Sequence, residues 1–228
     1  MSRGIFISAT GTDIGKTFVT ALIVKKLRET GLNAGYYKPA LSGATLEKGK
    51  LMAGDAHYVC SISNIKEEPN SLISYIYETA VSPHLAAAIE GNPVELDVIR
   101  KDFETAKKKF DFITVEGCGG IICPIRMDEQ VIMLTDIIKM LDMDMLMVCS
   151  SDLGTINHTV LTAEYAAQKG MRIRGIIMNG FDEKSLIHND NKKQIEYLTN
   201  IPVIACVSKG AESIEIDMDI LINTYTEV

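Results

Sequence analysis

The chain has no tryptophan, no C-x-x-C pair, no surplus of positive charge and no long apolar run. The missing tryptophan excludes nothing, but the other absences narrow the field. Cys60, Cys118, Cys123, Cys149 and Cys206 are odd in number and unpatterned, and several lie in apolar runs where a thiol behaves as a small hydrophobe. They suit a reducing, cytoplasmic setting better than a disulfide framework. With 23 Lys and Arg against 30 Asp and Glu, the net charge is −7. That leaves no electrostatic case for nucleic acid or an anionic membrane surface as partner. No run approaches the roughly 18 apolar residues of a spanning helix. The N-terminus enters a first strand directly, without the charged and apolar regions of a signal peptide. The four histidines are scattered without zinc spacing, and the Met-rich stretch Met140–Met147 reads as core filler.

What is present suits an ordinary globular protein: 228 residues, 46% hydrophobic and 23% charged. No repeat or linker divides them, so one domain over 1–228 is expected. Apolar runs at Ile5–Ile7, Gly35–Tyr37, Phe112–Val115, Met145–Cys149, Gly175–Met178 and Pro202–Ala205 predict strands. Helical spacing follows at 16–29 and then at about 94–109, 133–141, 156–169, 188–199 and 212–224. Runs that are apolar throughout belong to parallel strands covered on both faces. The alternation predicts an α/β fold, a mostly parallel, doubly wound sheet flanked by helices. Ligands on such sheets collect at the carboxyl ends of the strands.

After the first strand comes Ala9-Thr10-Gly11-Thr12-Asp13-Ile14-Gly15-Lys16-Thr17, and then an amphipathic helix. Strand, glycine-bearing loop, Gly-Lys-Thr and helix make a P-loop NTPase-like arrangement. Loop N–H groups and the positive helix end face a phosphate, the lysine adds charge at the β- and γ-phosphates, and the threonine hydroxyl reaches Mg²⁺. Ala9 stands where the pattern has its first glycine.

The other strand ends supply further candidates. Lys38, with Pro39 and Gly43 shaping a turn, either faces the phosphate site or begins a surface loop. Placed at a strand end and outside the core, its replacement by alanine is expected to remove turnover while sparing the fold. Asp55 is either an N-cap or a metal-side carboxylate. Glu116 closes an apolar strand ahead of Gly117, Cys118, Gly119 and Gly120, where a P-loop enzyme places an acid for Mg²⁺. Asp152 and the Leu153–His158 stretch precede a helix, whose start takes an anion or is simply capped by Thr155 or Asn157. Asn179 reads a base edge or supplies a left-handed turn with Gly180. Ser82 and Pro83 mark a helix start beside His84.

In chain order, Thr10–Thr17, Tyr37–Gly43, Ser82–His84, Val115–Gly120, Leu153–His158 and Asn179 resemble the signatures of the dethiobiotin synthetase family. The resemblance implies a cytoplasmic homodimer that uses ATP, Mg²⁺, CO₂ and 7,8-diaminopelargonate. One amine captures CO₂ as a carbamate, the carbamate attacks the γ-phosphate, and the second amine displaces phosphate to close the ring. It implies that Lys16 and Lys38 are catalytic and that Thr17, Asp55 and Glu116 hold the metal. Nucleotide contacts would come from Thr12, Asp13, Ile14, Gly15, Lys16, Thr17, Phe18, Asp55, Glu116, Gly117, Cys118, Gly119, Asn179, Gly180, Val207, Ser208 and Lys209. Thr12, Ser42, Gly154, Thr155 and Asn157 would contact the diamine, the last three from the dimer interface. Gly180, where an Asp often follows the asparagine, and the 207–209 loop depart from the family pattern.

Two rivals share the P-loop. An amidoligase would draw ammonia from a glutaminase domain, for which a chain ending at Val228 has no room. A nucleotide-switch positioning ATPase usually carries a further lysine at the loop's start and a basic amphipathic helix at its end. Here those places hold Ser8-Ala9-Thr10 and the acidic Glu212–Val228.

Overall fold

The apolar run at the start of the chain forms β1 (Arg3–Ala9), and helices cover both its faces. Ile5, Ile7 and Ala9 point into one buried layer, and Phe6 into the other. The computed structural model describes residues 2–228. From β1 the chain continues through α1 (Lys16–Glu29), β2 (Ala34–Ser42), the hairpin of β3 (Thr45–Glu47) and β4 (Lys50–Met52), and α2 (Gly54–Ser63). Next come β5 (Ile73–Tyr77), α3 (Pro83–Glu90), α4 (Leu96–Lys107) and β6 (Phe112–Glu116). A second hairpin of β7 (Pro124–Met127) and β8 (Val131–Met133) leads to α5 (Leu134–Met140) and β9 (Met145–Ser150). The last elements are α6 (Thr155–Gln168), β10 (Ile173–Asn179), α7 (Leu186–Thr199), β11 (Val203–Val207), α8 (Met218–Thr224) and β12 (Thr226–Glu227).

Seven strands pair in the order β11-β10-β9-β1-β6-β2-β5, all parallel. The short β12 lies antiparallel to the start of β1, at Arg3 and Gly4, before β9 takes over that side at Phe6. Helices α1, α2 and α8 pack on one face, and α3 to α7 on the other. The chain leaves β1 towards β2 and later returns past it to β9. The winding therefore reverses beside β1, and such reversals open a crevice at the carboxyl edge. Among the described residues, no helix is long and apolar enough to cross a membrane.

The six expected strands and the helices between them are present, with differences at the last helix and in β2. The segment 212–224 is helical only from Met218, because the Asp217 side chain accepts from the Asp219 and Ile220 N–H groups and starts the helix there. Ile214 and Ile216 ahead of it are buried in the core. Pro39 lies inside a strand and shapes no turn: β2 runs on to Ser42, and the turn falls at Gly43, whose φ is 82°. Up to Tyr37, β2 pairs with β6, and from Lys38 it pairs with β5. Pro39, which has no N–H to donate, lies two residues beyond the end of the β6 ladder at Tyr37. The edge strand β5, with burial alternating along Ile73–Tyr77, completes that pairing.

Gly35, in β2, permits a close approach. A Cβ there would stand 2.2 Å from the Phe110 ring. Gly35→Ala is expected to lower unfolding stability by about 1–3 kcal/mol through overpacking, read as a reduced urea midpoint at constant slope. An unchanged midpoint would refute this account of the β2 packing.

Candidate active site

The loop between β1 and α1 is shaped by its backbone. Gly15, just ahead of α1, has φ 91°, and a Cβ on it would fall 2.1 Å from Nδ2 of Asn179. That nitrogen donates to the Ile14 carbonyl at 2.9 Å, so the end of β10 braces the loop. Asp13 also takes the left-handed conformation, with φ 58°. Ala9 does not: it ends β1 in ordinary backbone, which is why a methyl group is accepted there. A Cβ at Gly120 would lie 3.4 Å from the Gly11 Cα, so the glycines after β6 let the two loops approach.

Lys16 and Thr17 open α1, whose N-terminus has no side-chain cap. Lys16 is buried, and its Nζ donates to the Gly11 carbonyl at 3.3 Å. Burial and the neighbouring Lys38 charge hold its pKa below the usual lysine value, against an opposing pull from Glu116. Glu116, the last residue of β6, is wholly inaccessible to solvent. Its Oε1 accepts from Thr17 Oγ1 at 2.7 Å and from Lys38 Nζ at 2.8 Å. Its Oε2 accepts from the Tyr36 hydroxyl at 3.0 Å. Lys38 Nζ also meets Asp55 Oδ2 at 2.7 Å and the Gly117 carbonyl at 3.4 Å. Burial alone would lower the Lys38 pKa, but Glu116 and Asp55 outweigh it and hold the value above the usual one. Burial and Glu116 raise Tyr36, and burial raises the Cys118 thiol, which donates to the Ala40 carbonyl.

Lys16, Thr17, Lys38, Asp55 and Glu116 line a cavity of about 520 Å³ with Thr12, Asp13, Gly15, Phe18, Ala40, Leu41, Ser42, Cys118 and Gly119. Among the described residues no cluster of three His, Cys, Asp or Glu side chains could hold a metal. The Asp55 and Glu116 carboxylates flank the Lys38 ammonium, and the Thr17 hydroxyl donates to Glu116. One or two carboxylates with phosphate and water are the kind of set that Mg²⁺ takes.

Several expectations change with the geometry. Lys38 is buried in the middle of β2 and is not at a strand end. Replacing it therefore disturbs the fold as well as the site. Asp55 caps nothing: α2 begins after Ala53, and the carboxylate turns to Lys38. The residue ahead of α6 is Gly154, with φ 94°, and Thr155 turns inward to the Ser150 carbonyl at 2.6 Å. Asn179 makes no left-handed turn itself; Gly180 does, with φ 75°. Ser82 and Pro83 do start α3. The cavity lining does not include Gly154, Thr155 and Asn157, nor Val207, Ser208 and Lys209; Asn157, Ser208 and Lys209 are exposed. The lining also omits Ile14, Gly117, Asn179 and Gly180. Tyr36 was missed, although period-2 alternation along β2 puts it on the face of Lys38.

A glycine-bearing loop between a central parallel strand and a helix, with a lysine and threonine at the helix start, defines a P-loop NTPase-like protein. A family model described as an AAA domain matches residues 3–215. An ATP-dependent dethiobiotin synthetase BioD of Clostridium botulinum (strain Langeland) is 50% identical over 228 residues, 100% of each chain. The one from strain Alaska E43 is 51% identical over 206 residues, 90% of this chain and 91% of its own. The chain belongs to the dethiobiotin synthetase family. Among solved structures, a ParA family ATPase from Chlorobium tepidum superposes with TM-score 0.56 at 14% identity, over 98% of this chain and 90% of that one. The MinC:MinD complex of Aquifex aeolicus gives 0.58 at 13%, over 98% and 86%. These two likenesses are of fold alone.

Lys38→Met would leave Glu116 buried without its cation, an arrangement that costs about 3–5 kcal/mol. A lysine whose folded pKa is raised stabilises fully below its unfolded value, 10.5, and loses that contribution only above it. Urea unfolding is therefore expected to show the same gap between wild type and variant at pH 7 and pH 10. A gap that closes between those two values would refute the assignment.

Proposed function

We propose that the chain carries out ATP-dependent carboxylation and ring closure of 7,8-diaminopelargonate with CO₂, giving dethiobiotin, ADP and phosphate. The observation that carries this is the meeting of Lys16, Lys38, Asp55 and Glu116 around one cavity at the β1–α1 loop. Full-length identity of 50% to synthetases of that name supports it.

The reaction must join two anions, a carbamate and a triphosphate, that repel each other. Lys16 and the uncapped N–H groups of α1 would meet the β- and γ-phosphates. Lys38, across the cavity, is the cation for the carbamate. Their charge acts where negative charge accumulates as the γ-phosphoryl group moves to the carbamate oxygen. The second amine then attacks the activated carbonyl, phosphate leaves, and the ring closes. Thr12, Asp13 and Ser42 line the cavity, and Thr12 and Ser42 would contact the diamine, with Asp13 in the loop facing it. Thr17, Asp55 and Glu116 would hold Mg²⁺, which when bound supplies concentrated positive charge beside the phosphates. Gly15, Phe18, Gly117, Cys118 and Gly119 would pack against the nucleotide. Asn179 keeps its amide oxygen for the adenine amino group while its nitrogen braces Ile14. Gly180 and the Val207–Lys209 loop would flank the base.

Gly154, Thr155 and Asn157 fit this scheme through a homodimer, in which the start of α6 would serve the partner's cavity. Leu153 beside them is 90% exposed, an apolar side chain suited to such an interface. A cytoplasmic location accords with five free cysteines.

Protein supplied with ATP, Mg²⁺ and bicarbonate is expected to release phosphate only when the diamine is added. Phosphate release without the diamine, or stimulated by a protein partner, would refute the assignment. A second test concerns Lys16, whose pKa lies low until an anion raises it. ATP binding should then take up protons at alkaline pH, and affinity should fall as pH rises. Calorimetry in two buffers of different ionisation enthalpy measures that uptake, and proton release would contradict it.

A further inference from the structure

We propose that Tyr36 is a positioning residue for the divalent cation, acting through Glu116. The inference rests on the reading of Glu116 as a metal-side ligand. Glu116 presents two oxygens with different surroundings. Oε1 meets Thr17 and Lys38, on the cavity side. Oε2 has one partner, the Tyr36 hydroxyl.

Both side chains are wholly inaccessible to solvent, so no bulk water can take the place of either partner. Among the described residues, the Tyr36 hydroxyl likewise bonds to Glu116 alone. A carboxylate pinned at one oxygen cannot rotate about its terminal bond, so the other oxygen keeps its aim at the cavity. Partners of this kind behind a metal ligand typically alter metal affinity about 10- to 100-fold when removed.

The register of β2 makes the pairing. Tyr36 and Lys38 are two residues apart on one face of the strand and reach the same carboxylate on β6. Tyr37 between them points to the opposite layer, where its hydroxyl donates to the Ile99 carbonyl. Only one tyrosine of the doublet can serve Glu116.

The test uses Mn²⁺ as a paramagnetic probe, with its binding to the ADP-loaded protein followed by electron paramagnetic resonance. Tyr36→Phe keeps the ring and deletes the oxygen, and is expected to weaken Mn²⁺ about tenfold while leaving ADP affinity without metal unchanged. Glu116→Gln is the reference. If it weakens Mn²⁺ and Tyr36→Phe does not, the role of Tyr36 is overturned and that of Glu116 stands. If neither variant changes Mn²⁺ affinity, the metal-side reading of Glu116 fails and the inference with it. Loss of metal-free ADP binding in Tyr36→Phe would show general structural support and also overturn the proposal. Should Tyr36→Phe not fold, 4-aminophenylalanine at position 36 retains a weaker donor. It is expected to weaken Mn²⁺ about threefold, and an unchanged affinity would overturn the proposal.

Discussion

A carboxylate removed completely from water is tolerable only if its charge and both oxygens are satisfied. Glu116 is such a group, and much of the site is arranged to answer it. Thr17 comes from the start of α1, while Tyr36 and Lys38 come from β2. Asp55, at the start of α2, then balances the lysine from the far side. Three elements are thereby tied to one residue at the end of a central strand. Charge-assisted hydrogen bonds of this type are worth about 1.5–3 kcal/mol each. Losing Lys38 leaves an unbalanced buried charge, and losing either hydroxyl leaves a buried oxygen short of a donor.

The sheet delivers these groups through two simple periodicities. Alternation along β2 puts Tyr36 and Lys38 on one face while Tyr37 enters the opposite core. Past Pro39 the pattern shifts, with Leu41 in the layer of Tyr36 and Ala40 in that of Tyr37. The helical start at Lys16 places consecutive residues around the first turn, so the lysine follows the loop back to Gly11 and the threonine reaches Glu116. Between them the glycines of the β1–α1 and β6 loops remove the bulk that would hold the two backbones apart.

The architecture was legible because its strands are apolar on both faces and its helices are not. The β1–α1 loop was legible because few sequences place Gly-Lys-Thr between such a strand and such a helix. Less could be read around β2. Pro39 looks like a turn signal, and only the partner exchange from β6 to β5 explains a proline within that strand. β5 itself escaped notice because Ile73–Tyr77 alternates, as an edge strand does, where a fully apolar run was the guide. Asp55 has the composition of a cap, and its actual partner lies 17 positions away in sequence, beyond any local pattern. Tyr36 was hidden by its neighbour: two adjacent tyrosines in a strand read as core until pairing reveals which one meets a charge.

The brace from Asn179 to Ile14 has a consequence for how a ligand is received. The bond joins the end of β10 to the phosphate-side loop across 165 positions of sequence. With Gly15 held in a conformation that other residues rarely adopt, the loop is already in one shape before anything enters. The ordering entropy that a slack loop would surrender on binding has been met during folding instead. An arriving anion therefore finds a preorganised cradle, and the rigid sheet beneath it, more than the ligand, sets the cradle's form.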